Sequence, residues 1–224
     1  MVQSRGALIA FEGLDRSGKS TQCQLLADHL RTQGHTVSNM RFPNRTTPIG
    51  LMINSYLAGQ MQAEDHVIHL LFSANRWESA AEIERLIAAG TTVVLDRYYY
   101  SGIVYSAAKR VDGMDLKWCR QPEVGLPRPD VCVFLDVDTE VAKRRGGFGE
   151  ERYENAEMQG RVRELFAELQ ARGRHEGDDI VVVDAGMEVE EVQNRIWRVV
   201  DGVVDGVVNK MAAEEMTLRK VDPW

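Results

Sequence analysis

Only three cysteines occur in the 224 residues, Cys23, Cys119 and Cys132. Their number is odd and their spacing matches no metal-ligand pattern, so neither a disulfide framework nor a zinc site is expected. They read as free thiols used for packing in a reducing compartment. No apolar run approaches membrane-spanning length, and the N-terminus lacks the long apolar stretch of a secretory signal. Positive charge is also short: 27 Lys and Arg stand against 34 Asp and Glu, a formal net charge of −7. That balance argues against bulk binding to nucleic acid or to an anionic membrane. Any anionic ligand must be held by local basic clusters. The five histidines form no cluster, and no Pro/Ser-rich linker divides the chain. One domain with a sizeable core is expected. The cytoplasm is the expected compartment, with the nucleus as a further one.

What the chain does have is Gly13-Leu14-Asp15-Arg16-Ser17-Gly18-Lys19-Ser20, which fits G-x-x-x-x-G-K-[ST]. The apolar run Ala7-Leu8-Ile9-Ala10-Phe11 precedes it, and the helix-like segment Thr21–Gln33 follows. Strand, glycine-rich turn and helix are the setting in which this motif becomes a phosphate site. Backbone N–H groups around Gly13, Ser17, Gly18 and Thr21 can curl around phosphate oxygens, and the helix N-terminus favours negative charge. Lys19 can reach the β- and γ-phosphates, and the Ser20 hydroxyl can ligate Mg²⁺.

Short β-branched apolar runs alternate with longer amphipathic segments. Strands are expected over Ala7–Phe11, Thr36–Arg41, Thr91–Leu95, Val131–Val137 and Ile180–Val183. Helices are expected over Lys19–Gln33, Thr47–Leu57, Glu64–Ala89, Glu154–Arg172 and Val189–Met211, the last weakened by the two glycines of its Val-Val-Asp-Gly repeat. Near-continuous runs such as Val131–Leu135 suit a parallel sheet buried on both faces. The alternation implies a three-layer α/β fold with ligands beyond the C-terminal ends of the strands. Residues 111–130, with Pro122, Pro127 and Pro129, read as a connection. Residues 143–152 pack four cations around three glycines, as a hinged lid would. Glu214–Trp224 reads as a loosely held tail.

A phosphate loop alone does not separate a switch from a motor or a kinase. Asp96-Arg97 follows the third strand, where a carboxylate can organise Mg²⁺ and an arginine can clamp a second phosphate. A surface salt bridge is the plainer alternative, but the strand-end position favours the site. Arg45 follows the second strand near the same sheet edge. Phe72 and Arg76 are spaced i,i+4 and share a helix face, off the apolar stripe drawn through Val67, Leu71, Ala74, Trp77 and Ala81. An aromatic plane beside a guanidinium suits a nucleobase. By spacing alone, a half-buried Phe beside a snorkelling Arg is the better fit.

Taken together the motifs resemble the thymidylate kinase family, of the eukaryotic type. The pieces are Phe11–Gln22, Phe42-Pro43-Asn44-Arg45-Thr46-Thr47-Pro48-Ile49-Gly50, His69–Glu78, Asp96-Arg97-Tyr98-Tyr99-Tyr100-Ser101-Gly102, Gln121–Pro127 and Phe148–Glu154. They run in order from about residue 6 to about residue 200. The resemblance implies a P-loop kinase fold with a five-stranded parallel sheet, a domain over 1–213, a lid over about 140–160 and a tail over 214–224. It implies transfer of the ATP γ-phosphate to dTMP, giving dTDP, with Mg²⁺.

Asp15 would bind the sugar 3′-hydroxyl, and Arg45 and Arg97 the acceptor phosphate. Phe72 would stack on thymine with Arg76 on a base carbonyl, which reverses the preference drawn from spacing. Phe42, Ser101, Tyr105, Tyr153 and Gln159 would complete the acceptor site, the last two from the lid. Ser20 and Asp96 would serve the metal. Catalysis would fall to Asp15, Arg16, Lys19, Arg97 and Arg145, with Arg16, Arg144 and Arg145 also on the ATP side. An arginine in the loop is the eukaryotic-type arrangement, and the lid arginines leave open which contributes most. The family further implies a homodimer, through helices including 64–89, with no nucleic-acid or membrane partner. A deoxynucleoside kinase of the same fold would need a carboxylate base at the sugar hydroxyl. A GTP-type switch would carry Asn-Lys-x-Asp, whereas Asn209-Lys210 is followed by Met211-Ala212.

Overall fold

The computed structural model describes residues 5–138, 141–142, 145, 151–172, 177–209 and 217–224. Five strands form one parallel sheet: β1 Leu8–Gly13, β2 Val37–Arg41, β3 Thr92–Asp96, β4 Val131–Asp136 and β5 Ile180–Asp184, in the order β2-β3-β1-β4-β5. Every residue of β1 and β3 is buried, because helices cover both faces. This is why these strands read as unbroken apolar runs. Seven helices are described: α1 Lys19–Thr32, α2 Pro48–Leu57, α3 Asp65–Ala88, α4 Tyr99–Ala107, α5 Leu116–Arg120, α6 Ala156–Ala171 and α7 Val189–Asn209. None of the described helices is long and apolar enough to cross a membrane.

All five expected strands and all five expected helices are present to within about two residues. Residues 111–130 are more than a connection, since they hold α5 and a 3-10 turn at Gln121–Glu123. Helix α4 was not expected at all. Its tyrosines and Gly102 are poor helix formers, so tertiary packing must hold it. Tyr99, Tyr100, Ile103 and Val104 are all fully buried in it. The glycines of α7 lie off its buried stripe, which runs Val192, Ile196, Val200, Val204 at i,i+4 spacing.

Two expectations are corrected. The buried stripe of α3 runs through Ile68, Ala80, Ile83 and Ile87, whereas Val67 is 50% exposed and Trp77 43% exposed. The helix has apolar residues on two faces, and hydrophobicity alone selected the wrong one. Secondly, the C-terminal segment is docked over its described residues, 217–224. Val221 is buried and exchanges backbone hydrogen bonds with Gly125 and Leu126 at 2.8 and 2.9 Å. The Trp224 ring lies under the guanidinium groups of both Arg120 and Arg172. Residues 214–216, like the lid residues Lys143, Arg144 and 146–150, lie outside the described residues.

Candidate active site

The parallel registers bring three strand ends together. Phe11 of β1 is level with Asp96 of β3, and Arg41 of β2 is level with Asp96. Beyond these ends opens a cavity of about 500 Å³, the size of a small-ligand site. Its floor is the loop between β1 and α1. Gly13 turns there with φ 141, and a Cβ on it would lie 2.5 Å from the Leu135 carbonyl oxygen. Gly18 follows at φ 94, immediately before α1. Arg16 and Arg97 both hold positive φ, 64 and 67, a region that non-glycine residues seldom adopt and that clusters at functional sites.

Lys19 is buried and folded back on the loop. Its Nζ donates to the Leu14 carbonyl at 2.5 Å, and to the Gly13 carbonyl and Ser17 Oγ at 3.2 Å. Burial, with Arg97 nearby, lowers its pKa to about 7. Ser20 Oγ donates to Asp96 Oδ2 at 2.5 Å. Two hard oxygen donors thus sit side by side on the cavity wall, as Mg²⁺ ligation requires. Arg16 lies 3.4 Å from Glu154, and Arg145 donates to the Arg16 carbonyl at 3.1 Å and the Ala185 carbonyl at 2.7 Å. The lid arginine therefore lies on the loop backbone.

Arg97, just past β3, reaches the loop itself: Nη2 donates to Asp15 Oδ1, while Nη1 reaches Ser101 Oγ at 3.0 Å and the Gly13 carbonyl at 3.2 Å. Burial alone would push the Asp15 carboxyl up. Arg97 and Lys19 beside it hold it below the usual carboxylate range. Arg45 donates to Asn54 Oδ1 at 2.9 Å and Glu151 Oε1 at 2.7 Å. Phe42, Phe72, Arg76, Ser101, Tyr105 and Tyr153 line the same cavity.

Gln159 does not. It is buried in the first turn of α6, accepting from the Asp15 N–H at 3.0 Å and donating to Asp15 Oδ2 at 2.7 Å. Its side chain is hydrogen-bonded to Asp15 and is not part of the cavity lining, so it does not cover the cavity in this structure.

Two carboxylates escaped sequence reasoning. Glu12 is fully buried at the end of β1 and accepts from the N–H groups of Tyr98 and Ser101, at 2.8 and 3.0 Å, and from Ser101 Oγ. It thereby holds the first turn of α4, immediately after Arg97, and burial pushes its pKa up. An acid closing an otherwise apolar strand was the available signal. Glu123 is the other, and it accepts from Arg76 Nε at 2.8 Å and Nη2 at 2.5 Å. Nothing in the spacing marks that partner.

A phosphate loop at the end of a parallel sheet, with further arginines and aromatic rings lining the same cavity, defines a P-loop kinase. The thymidylate kinase family model matches residues 11–196. A thymidylate kinase from Schizosaccharomyces pombe is 51% identical over 201 residues, covering 90% of this chain and 94% of that protein. The thymidylate kinase of Homo sapiens is 44% identical, over 88% of this chain and 90% of its own length. The solved thymidylate kinase from Candida albicans superposes with a TM-score of 0.80 at 38% identity, covering 89% of this chain and 93% of that one. The chain belongs to the thymidylate kinase family.

Proposed function

We propose that this protein transfers the γ-phosphate of ATP to dTMP, giving dTDP. The observation that carries this reading is that one cavity is lined both by the phosphate loop, with Lys19 and Ser20, and by two further arginines, Arg45 and Arg97. The Phe72 ring and the Arg76 guanidinium line the same cavity, as a base needs.

The acceptor is itself a phosphate, so no strong base is required. The difficulty is to bring two polyanions into line. The loop amides and Lys19 hold the donor. Arg97, anchored by Asp15 and Ser101, and Arg45 take the acceptor phosphate. Asp15, oriented by Gln159, presents its carboxylate to the sugar hydroxyl. Arg16 and Arg145 meet the charge that spreads over the transferred group. Mg²⁺ would be held through Ser20 and Asp96, and when bound supplies charge neutralisation at the phosphate oxygens. A lid closing over the cavity would exclude water during transfer.

The three cysteines are free and buried, consistent with a reducing cytoplasmic or nuclear setting. The outward apolar face of α3, with Val67, Leu70 and Trp77 each more than 40% exposed, supports a homodimer through that helix. The test is a coupled assay with ATP and dTMP, dUMP, thymidine or no acceptor. ADP formation should depend on dTMP, with thymidine inert. Equal ADP production without acceptor would refute the reading.

A further inference from the structure

Arg76 lines the cavity, yet its side chain is only 3% exposed and that of Glu123 is 0% exposed. The carboxylate takes the Nε and Nη2 side of the guanidinium in a two-point clamp. The turn carrying Glu123 is itself fixed to α3 on both sides of Arg76. Ser73 Oγ and Trp77 Nε1 both donate to the Pro122 carbonyl, at 3.1 and 2.8 Å. The clamp is therefore not free to follow the arginine. On the other side stands Gly102 of α4. A Cβ there would lie 2.4 Å from Nη2, 2.8 Å from Cζ and 2.9 Å from Nη1. Any side chain at position 102 would displace the guanidinium.

Among the described residues no acceptor reaches Nη1. Arginine has donors only, and with Nε spent on Glu123 its remaining N–H groups can be satisfied only by an acceptor. A nucleobase carbonyl satisfies that demand, whereas an exocyclic amine opposes it, donor against donor.

We propose that Glu123 and Gly102 are specificity-determining positioning residues, which lock Arg76 in one orientation so that pyrimidines are selected by a carbonyl at C4 and rejected when an amine stands there. This rests on the reading that the cavity beside Phe72 takes the acceptor base. A mobile arginine could swing away from a cytosine amine and let water mediate, at little loss. A clamped one cannot, and leaves buried donors unpaired.

The experiment measures kcat/KM for dTMP, dUMP and dCMP with wild-type enzyme, Arg76→Ala, Glu123→Gln and Gly102→Ala, with melting temperatures for each. Glu123→Gln should lower the dTMP/dCMP ratio about tenfold or more, the loss appearing in dTMP KM and in better use of dCMP. The dTMP/dUMP ratio should stay within about twofold, since both bases carry the same C4 carbonyl. General structural damage would depress all three substrates together and leave both ratios unchanged. Gly102→Ala keeps the carboxylate and should produce the same shift, so it decides the matter if Glu123→Gln fails to fold. An unchanged dTMP/dCMP ratio in the folded variants, with Arg76→Ala collapsing it, overturns the proposal. If Arg76→Ala itself leaves the ratio intact, the placement of the base beside Arg76 is what fails.

Discussion

Two pairs of arginines face the same cavity and are held in opposite ways. Arg76 and Arg97 have side chains 3% and 16% exposed, each clamped by a carboxylate, the buried Glu123 and Asp15 of the phosphate loop. Arg16 and Arg45 are 34% and 37% exposed and pair with Glu154 and Glu151, carboxylates from the segment just after the lid glycines. The inner pair is oriented before any ligand arrives. Breaking a buried pair leaves a charge without compensation and costs about 3–5 kcal/mol. Arg45 exchanges its partner most cheaply, since both side chains of its pair are exposed and such pairs contribute only about 0–1 kcal/mol, while the 10% exposed Glu154 holds Arg16 at 3.4 Å. The lesson is a division of labour. On the proposed function, Arg76 and Arg97 would meet the acceptor already oriented, whereas Arg16 and Arg45 would exchange a carboxylate for phosphate, Arg45 on the acceptor and Arg16 on the transferred group.

This contrast can be broken by mutation. Arg97→Ala should have the largest effect, lowering kcat/KM for dTMP by about 10³-fold with acceptor binding lost, and also destabilising the fold because Asp15 loses its partner. A variant with near-normal dTMP affinity in calorimetry would remove Arg97 from the inner pair. Arg16→Ala should lower kcat by about 10²–10³-fold while dTMP KM changes less than about threefold, since its contribution grows only as charge develops in transfer. Unchanged turnover would assign that role to the lid. Arg45→Ala should raise dTMP KM by about tenfold with a smaller effect on kcat. A loss as large as that of Arg97→Ala would erase the distinction between the pairs. Glu151→Gln should have the smallest effect, lowering dTMP KM about twofold to threefold at low salt and not at all at high salt. A raised KM would mean that the carboxylate positions Arg45 and does not compete for it.

Lys19 sharpens the same contrast from the donor side. Its pKa is lowered to about 7 by burial, so the free enzyme has largely released this proton at pH 8. Polyphosphate beside it favours the charged form. ATP binding at pH 8 should take up close to ~1 proton and at pH 6 almost none, read from the buffer dependence of the calorimetric enthalpy. No difference between the two pH values would mean that Lys19 stays charged throughout. In stability the sign is the reverse of a favourable pair. Between about 7 and 10.5 the unfolded chain holds a proton that folded Lys19 has lost, so this group's contribution makes the fold more stable as pH rises through that window.

Much of this arrangement was legible in the sequence. Strands buried on both faces announce themselves as apolar runs, and the glycine-rich turn between one of them and a helix marks the donor site. Asp96 and Arg97 were legible because they close a strand. Helix α4 was not, because Tyr99, Tyr100 and Gly102 have weak helix propensity and only packing and the Glu12 carboxylate hold them helical. The outward face of α3 misled for a related reason, since periodicity shows that a stripe exists and not which stripe the core takes. The C-terminal residues, short and polar, carry no periodic signal, yet Val221 and Trp224 find partners in distant parts of the chain.

The amino-acid sequence by itself determined the layered parallel sheet, the phosphate loop at its edge and the kinds of side chain gathered there, because these follow from local pattern and short spacing. Which carboxylate clamps which arginine was decided only in three dimensions. Arg76 and Glu123 lie 47 positions apart, Arg97 and Asp15 lie 82 apart, and Gln159 reaches Asp15 across 144. Such pairs are set by sheet order and helix packing, which no local stretch of chain records.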